Sequence, residues 1–163
     1  MDNNRQEHNY IAILTSSLEK KITILEQIVI MNDEQKTLAL AEKFDYERFD
    51  AIYEEKGKLI AELNLLDSGF QSVYDRVKNT LEANKETYKE EILGLQKLVK
   101  RITDLSMEIQ ASEARNKALM EKSTSTLKQD VKTARATNKA AIDYYHSMAR
   151  LNVIDPQFMD KKK

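Results

Sequence analysis

The stretch Phe49–Val77, FDAIYEEKGKLIAELNLLDSGFQSVYDRV, decides the fold. Within it Phe49, Ile52, Lys56, Leu59, Leu63, Leu66, Phe70, Val73 and Val77 follow one another at steps of three and four. That spacing draws a single stripe along an α-helix. The stripe is apolar except at Lys56, and apolar surface of this extent is driven out of water. A helix carrying it must lie against another helix. Downstream, Tyr88, Ile92, Leu95, Leu98, Ile102, Leu105 and Ile109 repeat the pattern. Upstream, Leu14, Leu18, Leu25 and Ile28 form a seam that Ile22, Ile24, Val29 and Met31 widen, enough for two neighbours. The expected fold is all-α: an elongated antiparallel bundle of three long helices with coiled-coil-like packing, followed by a fourth amphipathic C-terminal helical segment.

Helices are expected over about 8–41, 45–82, 87–122 and 127–150, as a single domain spanning 1–150. Asp45 suits an N-cap, because its carboxylate can accept from a free first-turn amide. Asp67-Ser68-Gly69 resembles a stop, yet the stripe passes from Leu66 to Phe70 to Val73 in phase. A loop would reset that phase, so the second helix is read as continuing to about Glu82, with a break at 83–86. There Asn84 leaves a polar gap, and Thr87-x-x-Glu90 resembles a capping box. Ser123-Thr-Ser-Thr126 places four poor helix formers in a row, since their hydroxyls compete for local backbone groups; a kink or break is expected there. Pro156 forbids helix, and residues 151–163 are read as a mobile tail.

Composition narrows the function. Of 163 residues 33% are charged, with no cysteine and no tryptophan; the excess charge belongs to long solvent-washed helix faces. Lys and Arg number 18 against 23 Asp and Glu in residues 1–127, and 8 against 4 in residues 128–163. The net charge of −1 supplies no general attraction to nucleic acid, and the small cluster of Tyr144, Tyr145 and Lys161–Lys163 does not change that. The amino terminus lacks the apolar core of a secretory signal. The apolar run Ile28–Met31 is far below the roughly 20 residues of a membrane span. A cytoplasmic protein without membrane insertion is expected.

No phosphate loop, nucleophile motif or metal-ligand spacing occurs. His8 and His146 stand apart, and the paired carboxylates Glu54-Glu55 and Glu90-Glu91 are ordinary helix surface. No enzymatic activity, no metal and no cofactor are expected. Asn32, Lys56 and Asn138 are polar residues on apolar stripes, positions that commonly fix register between helices.

Two blocks and the tail carry a resemblance. Glu54-Glu-Lys-Gly-Lys-Leu-Ile-Ala-Glu-Leu63 resembles the EEK-x-x-L segment of FlgN-type flagellar export chaperones. Ile109-Gln-Ala-Ser-Glu-Ala-Arg-Asn-Lys-Ala-Leu119 is similar to that family's ERN-x-x-AL segment, with an alanine between Glu113 and Arg115. Phe158-Met-Asp160 followed by lysines is similar to its aromatic-plus-aspartate ending. The resemblance implies an all-helical chaperone of flagellar type III secretion that holds hook-associated subunits and delivers them to a component of the export gate. It implies client capture by carboxy-terminal helical segments. Docking on the gate would use an aromatic residue that is usually tyrosine and is here matched by Phe158.

The residues agree in kind. Leu127, Val131, Ala134, Ala141, Ile142, Tyr145 and Met148 form a thin, alanine-rich face that buries little alone. A partner helix laid against it would complete it, with Met107, Met120 and Met148 free to repack. The same positions could instead close the bundle itself. These seven residues are the expected client surface, on a monomer or weak dimer. The competing reading is a structural coiled-coil scaffold that self-associates through its stripes.

Overall fold

The computed structural model describes residues 2–125 together with Lys139 and Asp143. It contains three α-helices, α1 (Asp2–Leu40), α2 (Tyr46–Ala83) and α3 (Lys89–Ser125), and no strand among the described residues. Apart from Lys139 and Asp143, the expected fourth helix lies outside them. The helices are 39, 38 and 37 residues long. At 1.5 Å per residue each spans on the order of 55–60 Å, so matched lengths allow side-by-side packing from end to end.

Interhelical hydrogen bonds set the directions. Tyr88 Oη donates to Glu7 Oε2, Asn32 Nδ2 to Ser112 Oγ and Ser123 Oγ to the Ala39 carbonyl, at separations of 81, 80 and 84 residues. A near-constant separation means that α1 and α3 run parallel. Between α1 and α2 the pairs run the other way: Ser17 meets Leu66, whereas Gln35 meets Phe49, so α2 is antiparallel to both. Helix α1 packs closely on each of the others, which explains its wide seam.

Each boundary has a local cause. Asp45 caps α2, its Oδ1 accepting from the Arg48 amide at 3.0 Å. Beyond α2, Asn84 N–H donates to the Thr80 carbonyl and Tyr88 N–H to the Asn84 carbonyl, so the connection winds tightly into α3. Helix α1 starts at Asp2, earlier than the apolar seam suggests. Helix α2 crosses Asp67-Ser68-Gly69 without interruption, and Lys21 of α1 grips Asp67 there at 2.9 Å. Helix α3 continues through Ser123 to Ser125, against the expected end near Lys122. The Ser123 hydroxyl, instead of competing locally, satisfies one of the last carbonyls of α1, a group that no intrahelical amide reaches.

The core falls into two parts. The larger gathers Leu14, Leu25, Ile28, Leu63, Val77, Leu95, Ile102 and Ile109, among others, from all three helices. The smaller lies toward the carboxy-terminal end of α3 and joins Ala39, Phe49, Tyr53 and Met120, with Phe44 and Leu119 packed on it. Phe49 touches Phe44 and Tyr53 ring to ring, with centroids 5.1 and 5.3 Å apart.

Candidate functional site

Between the two cores the stripes turn polar in all three helices at once. Lys56 on α2 is wholly buried, and its ammonium reaches Glu113 Oε1 at 2.6 Å, Gln35 Oε1 at 2.6 Å and Asn32 Oδ1 at 2.8 Å. Three N–H donors thus meet three oxygens. The Tyr53 ring adds a face 4.5 Å from the nitrogen. The acceptors are themselves held: Asn32 Nδ2 donates to Ser112 Oγ at 2.7 Å, Gln35 Nε2 to the Phe49 carbonyl at 3.3 Å, and Asn116 Nδ2 to the Asn32 carbonyl at 2.9 Å.

Burial pushes the Lys56 amine below the ordinary lysine range, while the charge and hydrogen bond of Glu113 draw it back. An ammonium ringed by three acceptors has no lone pair to offer, and the group lies away from solvent. The arrangement is suited to setting the longitudinal register of three helices and not to acid–base chemistry.

Asn32 and Lys56 were legible as polar interruptions of apolar stripes, whereas Gln35, Glu113 and Asn116 went unnoticed. A signal for them existed. Ile109, Glu113, Asn116 and Met120 continue the α3 stripe at steps of four, three and four, as Ile28, Asn32, Gln35 and Ala39 continue that of α1. The two blocks of family resemblance, 54–63 and 109–119, are distant in sequence and meet here through Lys56, Glu113 and Asn116.

The expected client residues Leu127, Val131, Ala134, Ala141, Ile142, Tyr145 and Met148, and the expected docking residue Phe158, lie outside the described residues, as do Asn138 and His146. Of the methionines expected to repack around a client, Met120 is fully buried in the smaller core while Met107 is largely exposed. His8 stands edge-on to Tyr88 at 5.7 Å. Among the described residues no group of three or more side chains could hold a metal ion. No helix there is long and apolar enough to cross a membrane.

Two hollows lie on the surface of the described helices. The larger, about 940 Å³, is an open and mainly apolar groove along α1 and α2, lined among others by Ala12, Ile13, Ser17, Leu65, Leu66 and Val73. The smaller, about 260 Å³, sits at the α2–α3 turn, where Lys78, Glu82, Lys85, Glu86 and Lys89 surround Tyr74, Leu81 and Ile92. The larger lacks the converging polar groups of a small-molecule site.

No curated protein and no solved structure matches the chain. The family described as FlgN protein matches residues 2–149, covering all three helices, the polar layer between them and most of segment 127–150, so the chain belongs to the FlgN family.

Proposed function

We propose that this FlgN-family protein is a cytoplasmic chaperone of flagellar type III secretion, that it binds hook-associated (hook–filament junction) subunits, and that it delivers them to the export gate without catalysing a reaction. The observation that carries this reading is the extent of the family match, which runs beyond Ser125 to residue 149 and so includes the alanine-rich face from Leu127 to Met148. The described helices support it from the other side. Their stripes are filled by one another, and the buried Lys56 ammonium meets three acceptors among them.

In this reading residues 1–150 form one domain, whose segment 127–150 receives an amphipathic helix of the client on Leu127, Val131, Ala134, Ala141, Ile142, Tyr145 and Met148. Residues 151–163, beyond the family match, carry Phe158 to the gate. Co-expression with hook-associated subunits followed by pull-down tests the first step. Val131→Asp with Met148→Asp should abolish capture and leave helicity intact, because each apolar side chain buried in a partner is worth roughly 1.5–3 kcal/mol. Undiminished capture would place the client elsewhere. Phe158→Ala should spare the client complex and weaken gate binding and secretion.

A further inference from the structure

The cleft at the α2–α3 turn joins an apolar floor to a rim charged in both signs. Tyr74 and Leu81 of α2 make the floor with Ile92 and Leu93 of α3, and Leu93 is 44% exposed. Lys85 and Lys89 stand at the rim beside Glu82 and Glu86, all four exposed. Among the described residues no ion pair engages Lys85, Glu86 or Lys89. At about 260 Å³ the cleft falls below the roughly 300–1,000 Å³ of a typical ligand pocket. It is sized for one or two side chains of a peptide. The peptide must bring a large apolar group, a carboxylate close by for the lysines, and ammonium groups for the glutamates.

One segment of this chain beyond the described residues carries those groups in that order. Phe158 is followed two places on by Asp160, and then by Lys161, Lys162 and Lys163. Pro156 keeps the stretch out of a helix. In extended backbone residues two apart share a side, so ring and carboxylate enter the cleft together. Asp160 then meets Lys85 and Lys89, and the lysines that follow meet Glu82 and Glu86.

The chain is long enough to bring them there. Ser125 and Ile92 are 33 residues apart on α3, roughly 50 Å at the helical rise. The connection from Ser125 to Phe158 is also 33 residues long. With 127–150 helical, as in the proposed domain, and running back along the bundle, that part covers roughly 36 Å. The nine residues on its two sides, extended, add roughly 30 Å. Phe158 therefore reaches the cleft with length left for the reversal after α3. Tyr144 and Tyr145, the other aromatic residues of this part of the chain, stop at about 30 Å on the same path.

We propose that the α2–α3 cleft holds the chain's own tail in the free protein, with Phe158 on the apolar floor and Asp160 against Lys85 and Lys89. The contact is small, but the tether keeps the tail at an effective concentration on the order of millimolar. Its consequence rests on the reading of Phe158 as the gate-docking residue. One ring cannot occupy the cleft and a partner's pocket at once, so only molecules with an empty cleft present it. The apparent affinity for the gate falls by that fraction.

The chain has neither cysteine nor tryptophan, so single probes report without background. In dilute full-length protein, Glu86→Cys with Lys162→Cys should close an intramolecular disulfide about tenfold faster than Met107→Cys with Lys162→Cys. Met107 is 64% exposed and lies nearer Ser125 along α3, so an unattached tail meets it at least as often. Equal or faster closure at Met107 overturns the proposal, as do disulfides formed only between chains. Phe158→Trp should emit as a shielded indole, and adding Leu93→Asp should expose it to iodide quenching. Solvent-like emission with the parent cleft overturns the proposal, and loss of client capture in Leu93→Asp alongside it assigns the cleft to the client. Circular dichroism verifies that these surface variants fold. For the isolated export-gate component, Leu93→Asp should tighten binding of the full chain by about tenfold. If the crosslink and the shielding appear but gate affinity does not move, the cleft holds the tail and the docking role of Phe158 fails instead.

Discussion

The two ends of the bundle are built on different principles. From Ile11 to Ile28, Ile60 to Leu81 and Tyr88 to Ile109 the interior is almost wholly aliphatic, with Phe70 and Tyr88 as its aromatic members. Past Ile109 it becomes a layer of Asn32, Gln35, Lys56, Ser112, Glu113 and Asn116, closed by a small aromatic cluster around Phe49. An aliphatic seam attracts without direction, and a slip of one helical turn along it would bring other aliphatic side chains into contact. A buried ammonium with three named acceptors tolerates no such slip, since each unmet polar group would carry its full desolvation cost. The aliphatic part holds the helices together, and the polar part decides where along one another they stop. The polar part is also the end from which the chain leaves α3 toward segment 127–150.

The strongest test of this contrast is to break the polar layer. Lys56→Ala leaves the Glu113 carboxylate buried without its cation and should cost about 3–5 kcal/mol, read from the midpoint of urea unfolding. Replacing both partners, Lys56→Met with Glu113→Leu, should recover most of that loss or exceed the parent. Crosslinks introduced between α1 and α3 should then show mixed register. A double variant that keeps one register would refute the assignment of register to this layer.

In the aliphatic part Leu63→Ala should cost about 2–5 kcal/mol with register unchanged. Equal disturbance of register by Leu63→Ala and by the polar double variant would erase the distinction between the two ends. Next in size is the cap: Asp45→Ala removes the acceptor for the Arg48 amide and should cost about 1 kcal/mol. Hydrogen exchange should rise in the first turn of α2, beside the polar end, and not at Leu81.

The smallest effect concerns the other buried lysine. Lys21 and Asp67 pair at the edge of the aliphatic part, the aspartate side chain 16% exposed. Burial raises the Asp67 carboxyl above its ordinary value of 3.8, with Lys21 only partly offsetting this. The folded state therefore holds this proton more tightly than the unfolded chain does. The corresponding stability is full below 3.8 and is lost as pH rises through the folded-state value. Relative to Asp67→Asn, the parent protein should lose stability across that window. A difference that grows with pH instead would mean that the ion pair outweighs burial.

How much of this was legible beforehand varies by element. The stripes of 49–77 and 88–109 dictate helices that must pack on one another, and Asp45 dictates where α2 starts. Helix continuity across Gly69 was legible too, because phase is preserved through it. The course of α3 through Ser123 was not, since the partner that makes a hydroxyl tolerable there, the Ala39 carbonyl, is 84 residues away. Lys56 showed as an anomaly on its stripe. What the anomaly was for lay in Glu113, Gln35 and Asn32, on two other helices.

The sequence by itself determined the helical class, the apolar face of each helix and the absence of any recognisable catalytic motif, because periodicity and local chemistry are properties of single segments. Tertiary structure alone decided the parallel pairing of α1 with α3 and the polar layer that joins the two family-like blocks. Each of these depends on which residues stand at the same height on different helices. An apolar stripe repeats every turn and leaves that height open; only the polar contacts between helices select one.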